Sequence, residues 1–176
     1  NNFKYIFKMK FLILDKLNKS LLLLTKIEND QFDADSCISF NEVLNDSLSL
    51  YSDIFIYKEI SVTMKDEGEF AVHMNEQLSS VLVNNLIKNA FVHSAAGSEV
   101  TVAVGQHGFA VSNSGTSPLD AEMLFRRFYL PSGRREGSTG LGLALAHAVC
   151  SHSGLDISYS YSGNIHTFAV ILKKSK

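Results

Sequence analysis

The chain has 176 residues, 45% of them hydrophobic and 19% charged, with a formal net charge of −2. That suffices for one well-buried domain plus an appendage, and it excludes the strongly basic field of a general nucleic-acid or membrane-surface binder. The two cysteines, Cys37 and Cys150, stand far apart with no CxxC spacing, which argues against a disulfide framework or a zinc site and for a reducing cytoplasm.

Residues 4–31 are predicted to form one helix, with no Gly or Pro to interrupt it. Leu14, Leu17, Leu21 and Leu24 follow the spacing of a bundle or coiled-coil seam. A lone amphipathic helix cannot bury such a stripe, so the seam needs a second chain, missing sequence or the chain's own domain. No apolar run reaches the ~18 residues of a membrane span. Asn1 to Lys10 interleaves Lys with aromatics, unlike a signal peptide. The chain starts without Met and is expected to be a piece of a longer protein.

Asp33 to Ser39 is polar and breaks the helical pattern, which resumes over 40–55. Ile60 to Met64 and Phe70 to His73 alternate like strands around the turn Lys65-Asp66-Glu67-Gly68. A strong helix is predicted over 76–95, and a hairpin over Val100 to Val104 and Phe109 to Ser112, closed near Gly105 to Gly108. A short helix is expected over 119–129, then a loop over 130–140 with Pro131, Gly133, Gly137 and Gly140. A helix over 141–152 takes Cys150 as a small core residue. Strands at 155–161 and 165–172 close the chain around Gly163-Asn164. Helices and antiparallel hairpins alternate without internal repeats, which indicates an α+β fold, one sheet covered by helices on one face.

Three features carry chemistry. The 76–95 helix is apolar nearly all round and therefore mostly buried, yet Asn85 and Asn89 lie four apart on one face, with His93 continuing the row. Buried amides must find partners or cost about 1–3 kcal/mol each; a ligand, a metal or loop backbone can supply them. Ser112-Asn113-Ser114-Gly115 ends a strand with a polar side chain followed by Gly, which suits close approach of a flat ligand and equally an ordinary turn. Gly137-Ser-Thr-Gly-Leu-Gly-Leu143 opens a helix, and its exposed N–H groups can cradle phosphate. It is neither a Walker A loop, lacking the Lys, nor a Rossmann fingerprint, lacking the βαβ unit.

In order and spacing these features resemble the ATPase family that groups histidine kinases, DNA gyrase, the Hsp90 chaperones and the MutL repair proteins. Asn85-Leu-Ile-Lys-Asn89-Ala90 is similar to its N box, Asn113-Ser-Gly115 to its first glycine box, and Gly140-Leu-Gly142-Leu to its second. Leu124-Phe125-Arg126-Arg127-Phe128-Tyr129 resembles the F box of histidine kinases, and Leu21 to Asn29 the end of their second dimerisation helix. The resemblance spans roughly residues 12–172.

The resemblance implies a two-layer α/β sandwich of the Bergerat type, a mixed, mostly antiparallel sheet with helices on one face. Residues 1–33 would be the end of the dimerisation helix and 34–176 the ATP-binding catalytic domain. ATP and Mg²⁺ are the implied cofactors, with Asn85 and Asn89 as the catalytic pair. Asn89 would ligate Mg²⁺ and Asn85 would serve the phosphates. Asn113 would read the adenine amino group over Gly115. The remaining pocket residues would be His93, Phe125, Arg127, Tyr129, Thr139, Gly140, Leu141, Gly142 and Leu143, with 126–139 as a mobile lid. Implied partners are a second copy, through the N-terminal helix, and a response regulator receiver domain. Neither nucleic acid nor membrane insertion of this fragment is expected. The implied location is the cytoplasm, whether or not the parent is anchored in the inner membrane.

The sequence departs from the family at Asn113, usually Asp, at Val92, often basic, and at Leu130, often Arg. Arg127, Arg134 and Arg135 are candidates for the missing phosphate contacts. None of the six histidines, His73, His93, His107, His147, His152 and His166, has the acidic and Pro neighbours of a phosphoacceptor, and none lies on the leading helix. The chain is expected to begin beyond the acceptor and not to phosphorylate itself. Two rival readings stay open: a nucleotide-sensing or degenerate scaffold, and an ATPase of the chaperone or topoisomerase branch. The last calls for a catalytic Glu before the N-box Asn, where Asn84 stands with no acid within the turn.

Overall fold

The computed structural model describes residues 2–131 and 138–173. It opens with α1 (Asn2–Glu28), whose run of helix formers is uninterrupted. The helix stops where Asp30 turns left-handed, φ 55°, and Gln31 N–H returns to Lys26 O at 3.0 Å. Then follow β1 (Ser36–Ser39), α2 (Phe40–Leu50), α3 (Ser52–Tyr57), β2 (Ser61–Asp66), β3 (Ala71–Met74) and α4 (Glu76–His93). The chain finishes with β4 (Glu99–Gly105), β5 (Gly108–Ser114), α5 (Gly142–His152), β6 (Leu155–Ser162) and β7 (Ile165–Leu172).

Five strands make the main sheet in the order β2-β4-β5-β7-β6, and β1 pairs with β3 in a small second sheet. Only β2 and β4 run parallel; the other neighbours in the main sheet are antiparallel. The sheet is thus mixed and mostly antiparallel, as expected. Its inward face follows the two-residue strand period. Val102, Val111 and Phe168 form one buried row across the register, and Val104, Phe109 and Val170 the next. Helices α4 and α5 pack on each other, with α2 beside α4. Beyond the sheet, Phe40 stacks between Phe70 and Phe109, with ring centroids 5.2 and 5.0 Å away.

Four local expectations change. The polar stretch 33–39 contains strand β1, which has a single buried apolar residue, Ile38, and exists because β3 offers an edge to pair with. The strands flanking residues 65–68 form but do not pair with each other: β2 lies parallel to β4 while β3 joins β1. The side chain of Asn41 redirects the chain there. It donates to Asp66 Oδ1 at 3.1 Å and to Gly68 O at 3.2 Å, and accepts from Phe70 N–H at 3.1 Å. The helix expected over 119–129 is a succession of turns, with Leu124 its one buried residue and Phe128 left-handed at φ 63°. So short a segment with no full apolar face does not sustain a helix. Finally, the leucine seam of α1 is divided. Leu24 and Ile27 are buried and Leu17 and Leu21 pack beside them, whereas Leu14 is 54% exposed.

Phe40 is fully buried at the centre of the aromatic stack. Phe40→Ala is expected to cost about 3–5 kcal/mol of stability, read from urea unfolding midpoints; a loss under about 1 kcal/mol would mean that the stack does not anchor α2.

Candidate functional site

The third inward row of the sheet turns polar. Val100 faces Asn113, Asn113 faces His166 and His166 faces Tyr161. Asn113 and His166 are 3% and 8% exposed, so each needs partners. The amide Nδ2 of Asn113 donates to Ser114 O at 3.0 Å. Tyr159 Oη accepts from Leu119 N–H at 2.9 Å and lies 2.8 Å from His166 Nδ1. Its own hydrogen is then placed to donate to Nδ1. Burial lowers the His166 pKa and so favours the neutral ring. The ring lies over Gly115, where an added Cβ would stand 1.8 Å from His166 Nε2. Within this protein, the space that Gly115 leaves is filled by imidazole.

The stripe of α4 that escapes burial supplies the next wall. Leu78, Leu82, Val83, Leu86, Ile87, Ala90 and Phe91 are buried, so Asn85, Lys88, Asn89 and His93 line what remains open. Asn75 caps the helix, accepting from Leu78 N–H at 3.3 Å. Asn85 donates to Val81 O at 2.8 Å and turns Oδ1 toward Gly142, where a Cβ would sit 2.9 Å from that oxygen. Asn84 instead accepts from the Ser47 hydroxyl at 2.8 Å. Lys88 has its pKa lowered to about 8, first by burial and then by the neighbouring Lys16 of α1.

The glycine-rich segment closes the space. Gly140 adopts φ +68°, and a Cβ there would stand 2.7 Å from the backbone of Phe128; only glycine fits. Its carbonyl accepts from Phe128 N–H at 2.9 Å, which pins together the two ends of the intervening loop. Helix α5 begins at Gly142 without a side-chain cap. Its first N–H groups therefore point at the cleft with no capping oxygen, the usual receptor for an anion.

The result is a cleft of about 640 Å³. Of the residues singled out from the sequence, Asn85, Asn89, His93, Asn113, Gly115, Tyr129, Thr139, Gly140, Gly142 and Leu143 line it. Three stand elsewhere. Phe125 packs on His147 with ring centroids 5.6 Å apart, Arg127 pairs with Glu28, and Leu141 is fully buried. Gly133, Arg134, Arg135 and Gly137 lie outside the described residues. Sequence reasoning missed Lys16, Ser20, Lys88 and His166 as lining. Lys88 sits inside the Asn85–Asn89 motif and was legible there; Lys16, on a helix interpreted as a dimer seam, and His166, on a plain strand, carried no local signal. No Asp or Glu is among the described residues that line the cleft.

Residues 74–176 match the family described as Histidine kinase-, DNA gyrase B-, and HSP90-like ATPase. The chain is 30% identical over 169 residues to the heme sensor protein HssS of Staphylococcus saprophyticus, an alignment covering 92% of this chain and 36% of that protein. It is 30% identical over 147 residues to the sensor histidine kinase RppB of Synechocystis, covering 77% of this chain and 32% of that protein. The chain thus spans about a third of the length of these curated relatives. In fold it is similar to the Acinetobacter baumannii histidine kinase AdeS, with a TM-score of 0.73 at 22% identity over 99% of this chain and 84% of that one.

The buried imidazole makes stability depend on pH. The folded His166 titrates below its ordinary value of 6.5, so between the two values the unfolded chain binds a proton that the folded chain refuses. Its contribution is present above pH 6.5 and lost as pH falls through the folded value. His166→Gln should therefore show a smaller drop in Tm than the unsubstituted chain between about pH 7.5 and about pH 5; identical drops would exclude this residue as the source.

Proposed function

The chain belongs to the histidine kinase-, DNA gyrase B- and HSP90-like ATPase family, and from this we propose that it binds Mg-ATP as the catalytic part of a sensor histidine kinase. The γ-phosphoryl group would pass to a histidine of the dimerisation domain. One observation carries the reading: Asn85, Asn89, Asn113 and the uncapped start of α5 at Gly142 converge on one cleft whose described lining includes no carboxylate. Such a lining suits a polyanion, which aspartate or glutamate would repel.

The roles follow from what each group offers. Asn113, nearly buried, presents an amide oxygen to the exocyclic amine of a purine. The α5 N-terminus and the backbone at Gly140 and Gly142 receive phosphate oxygens. The Asn89 side chain makes no hydrogen bond to another described residue, and Asn85 keeps its Oδ1 unspent. Amide oxygens are hard donors of the kind Mg²⁺ accepts, usually as one or two protein ligands completed by phosphate and water. Asn89, supported by Asn85, would hold the ion, which supplies charge neutralisation on the transferring phosphate. Phosphoryl transfer asks the protein chiefly for this positioning.

Residues 1–33 are assigned to the dimerisation helix and 34–176 to the catalytic domain. Exposed Phe7, Phe11 and Leu14 on α1 fit pairing with a second copy in the parent protein. A response regulator receiver domain is the proposed recipient of the phosphoryl group. Among the described residues no helix is long and apolar enough to cross a membrane, and a cytoplasmic setting for this part is proposed.

Calorimetric titration with a non-hydrolysable ATP analogue tests the reading. Binding should be magnesium-dependent and should be lost in Asn89→Ala. A folded chain that binds nothing would sink the kinase reading and favour a scaffold that signals by conformation. Asn113→Asp, restoring a charged acceptor worth about 1 kcal/mol, should tighten binding roughly fivefold; weaker binding by this variant would mean that Asn113 meets the base differently.

A further inference from the structure

Two cations meet in the cleft that the roles above leave unused. Lys16 on α1 and Lys88 on α4 both line it, on two separate elements. Like charges that share one cleft repel, the more so where one is half-buried. No acid among the described lining residues offsets them. Asp15, next to Lys16, is engaged by Lys19 one turn on, at 2.7 Å.

The surroundings define which anion would relieve the repulsion. On α4, Lys88 stands between Asn85 and Asn89, on the wall that faces the uncapped start of α5. In the nucleotide reading above, that is where the phosphates would lie, with the purine at Asn113. On α1, Ser20 lies one turn beyond Lys16 on the same face and also lines the cleft. Further along, Leu24 and Ile27 bury their side chains in the core and anchor the helix.

We propose that Lys16 and Lys88 form a clamp for the terminal phosphates of a nucleoside triphosphate, so that bound nucleotide ties α1 to the catalytic domain. The proposal rests on the nucleotide reading above and adds an element outside the conventional pocket to it. Nucleotide then acts on α1 as well as on the site. By linkage, whatever moves α1 away from the cleft weakens triphosphate binding by the factor with which triphosphate holds α1 in place.

The test titrates the full chain, with magnesium present, against a non-hydrolysable ATP analogue and against adenosine. Lys16→Ala, Lys16→Gln and Lys19→Ala are titrated in parallel. Both Lys16 variants should lose about tenfold in affinity for the analogue, as expected for a charge-assisted contact, and nothing for adenosine. Lys19→Ala should match the unsubstituted chain. The analogue, and not adenosine, should slow amide exchange around Lys16. Unchanged analogue affinity in the Lys16 variants, or an equal loss for adenosine, overturns the clamp and leaves the nucleotide site standing. Absence of binding by the unsubstituted chain overturns both.

Discussion

The arrangement depends on the burial of α4. An apolar helix of this kind must be covered on nearly every side. The sheet, α2 and α5 do this, leaving Leu78, Leu82, Val83, Leu86 and Ile87 with no more than 1% exposure. The one stripe left uncovered is where polar side chains can stand without losing water or a partner. Asn85, Lys88, Asn89 and His93 occupy it. The cleft is therefore the complement of the core: its position is set by which side of α4 the rest of the chain leaves open.

The other walls obey related constraints. The inward rows of the sheet are apolar until the strands reach the cleft, and there Asn113 and His166 replace valine and phenylalanine. Each is anchored by backbone or tyrosine so that little polar potential is wasted in the core. Gly140 is needed for its positive φ and its close approach to the Phe128 backbone, while Gly142 leaves room for Asn85 Oδ1. A methyl group at Gly140 would push apart the two ends of the loop, and one at Gly142 would displace the Asn85 side chain of α4.

Helix α1 belongs to this structure more than its sequence suggests. Its last turns are held by Leu24 and Ile27, and His152 of α5 reaches Phe32 O at 3.0 Å just beyond its end. The Arg127–Glu28 pair joins it to the base of the loop, though an exposed pair of this kind adds little stability. The apolar burial supplies most of the docking energy. What docks α1 also brings Lys16 and Ser20 to the edge of the cleft.

The sequence by itself determined the long helices, the β4–β5 and β6–β7 hairpins, the α+β class and the amide and glycine part of the cleft lining. In each case the determinant is local: an apolar period, a turn glycine, or an amide pair four residues apart on a helix. Tertiary structure decided the rest. Ser36–Ser39 became a strand because β3 had an open edge, and β2 joined β4 rather than β3 because Asn41 bound the intervening backbone. Strand pairing costs loop entropy that only distant partners repay, so composition within one segment does not reveal it. The same holds for Lys16 and His166. Their neighbours in space lie far away in the chain, and a lone lysine or histidine acquires its role only from what folding brings beside it.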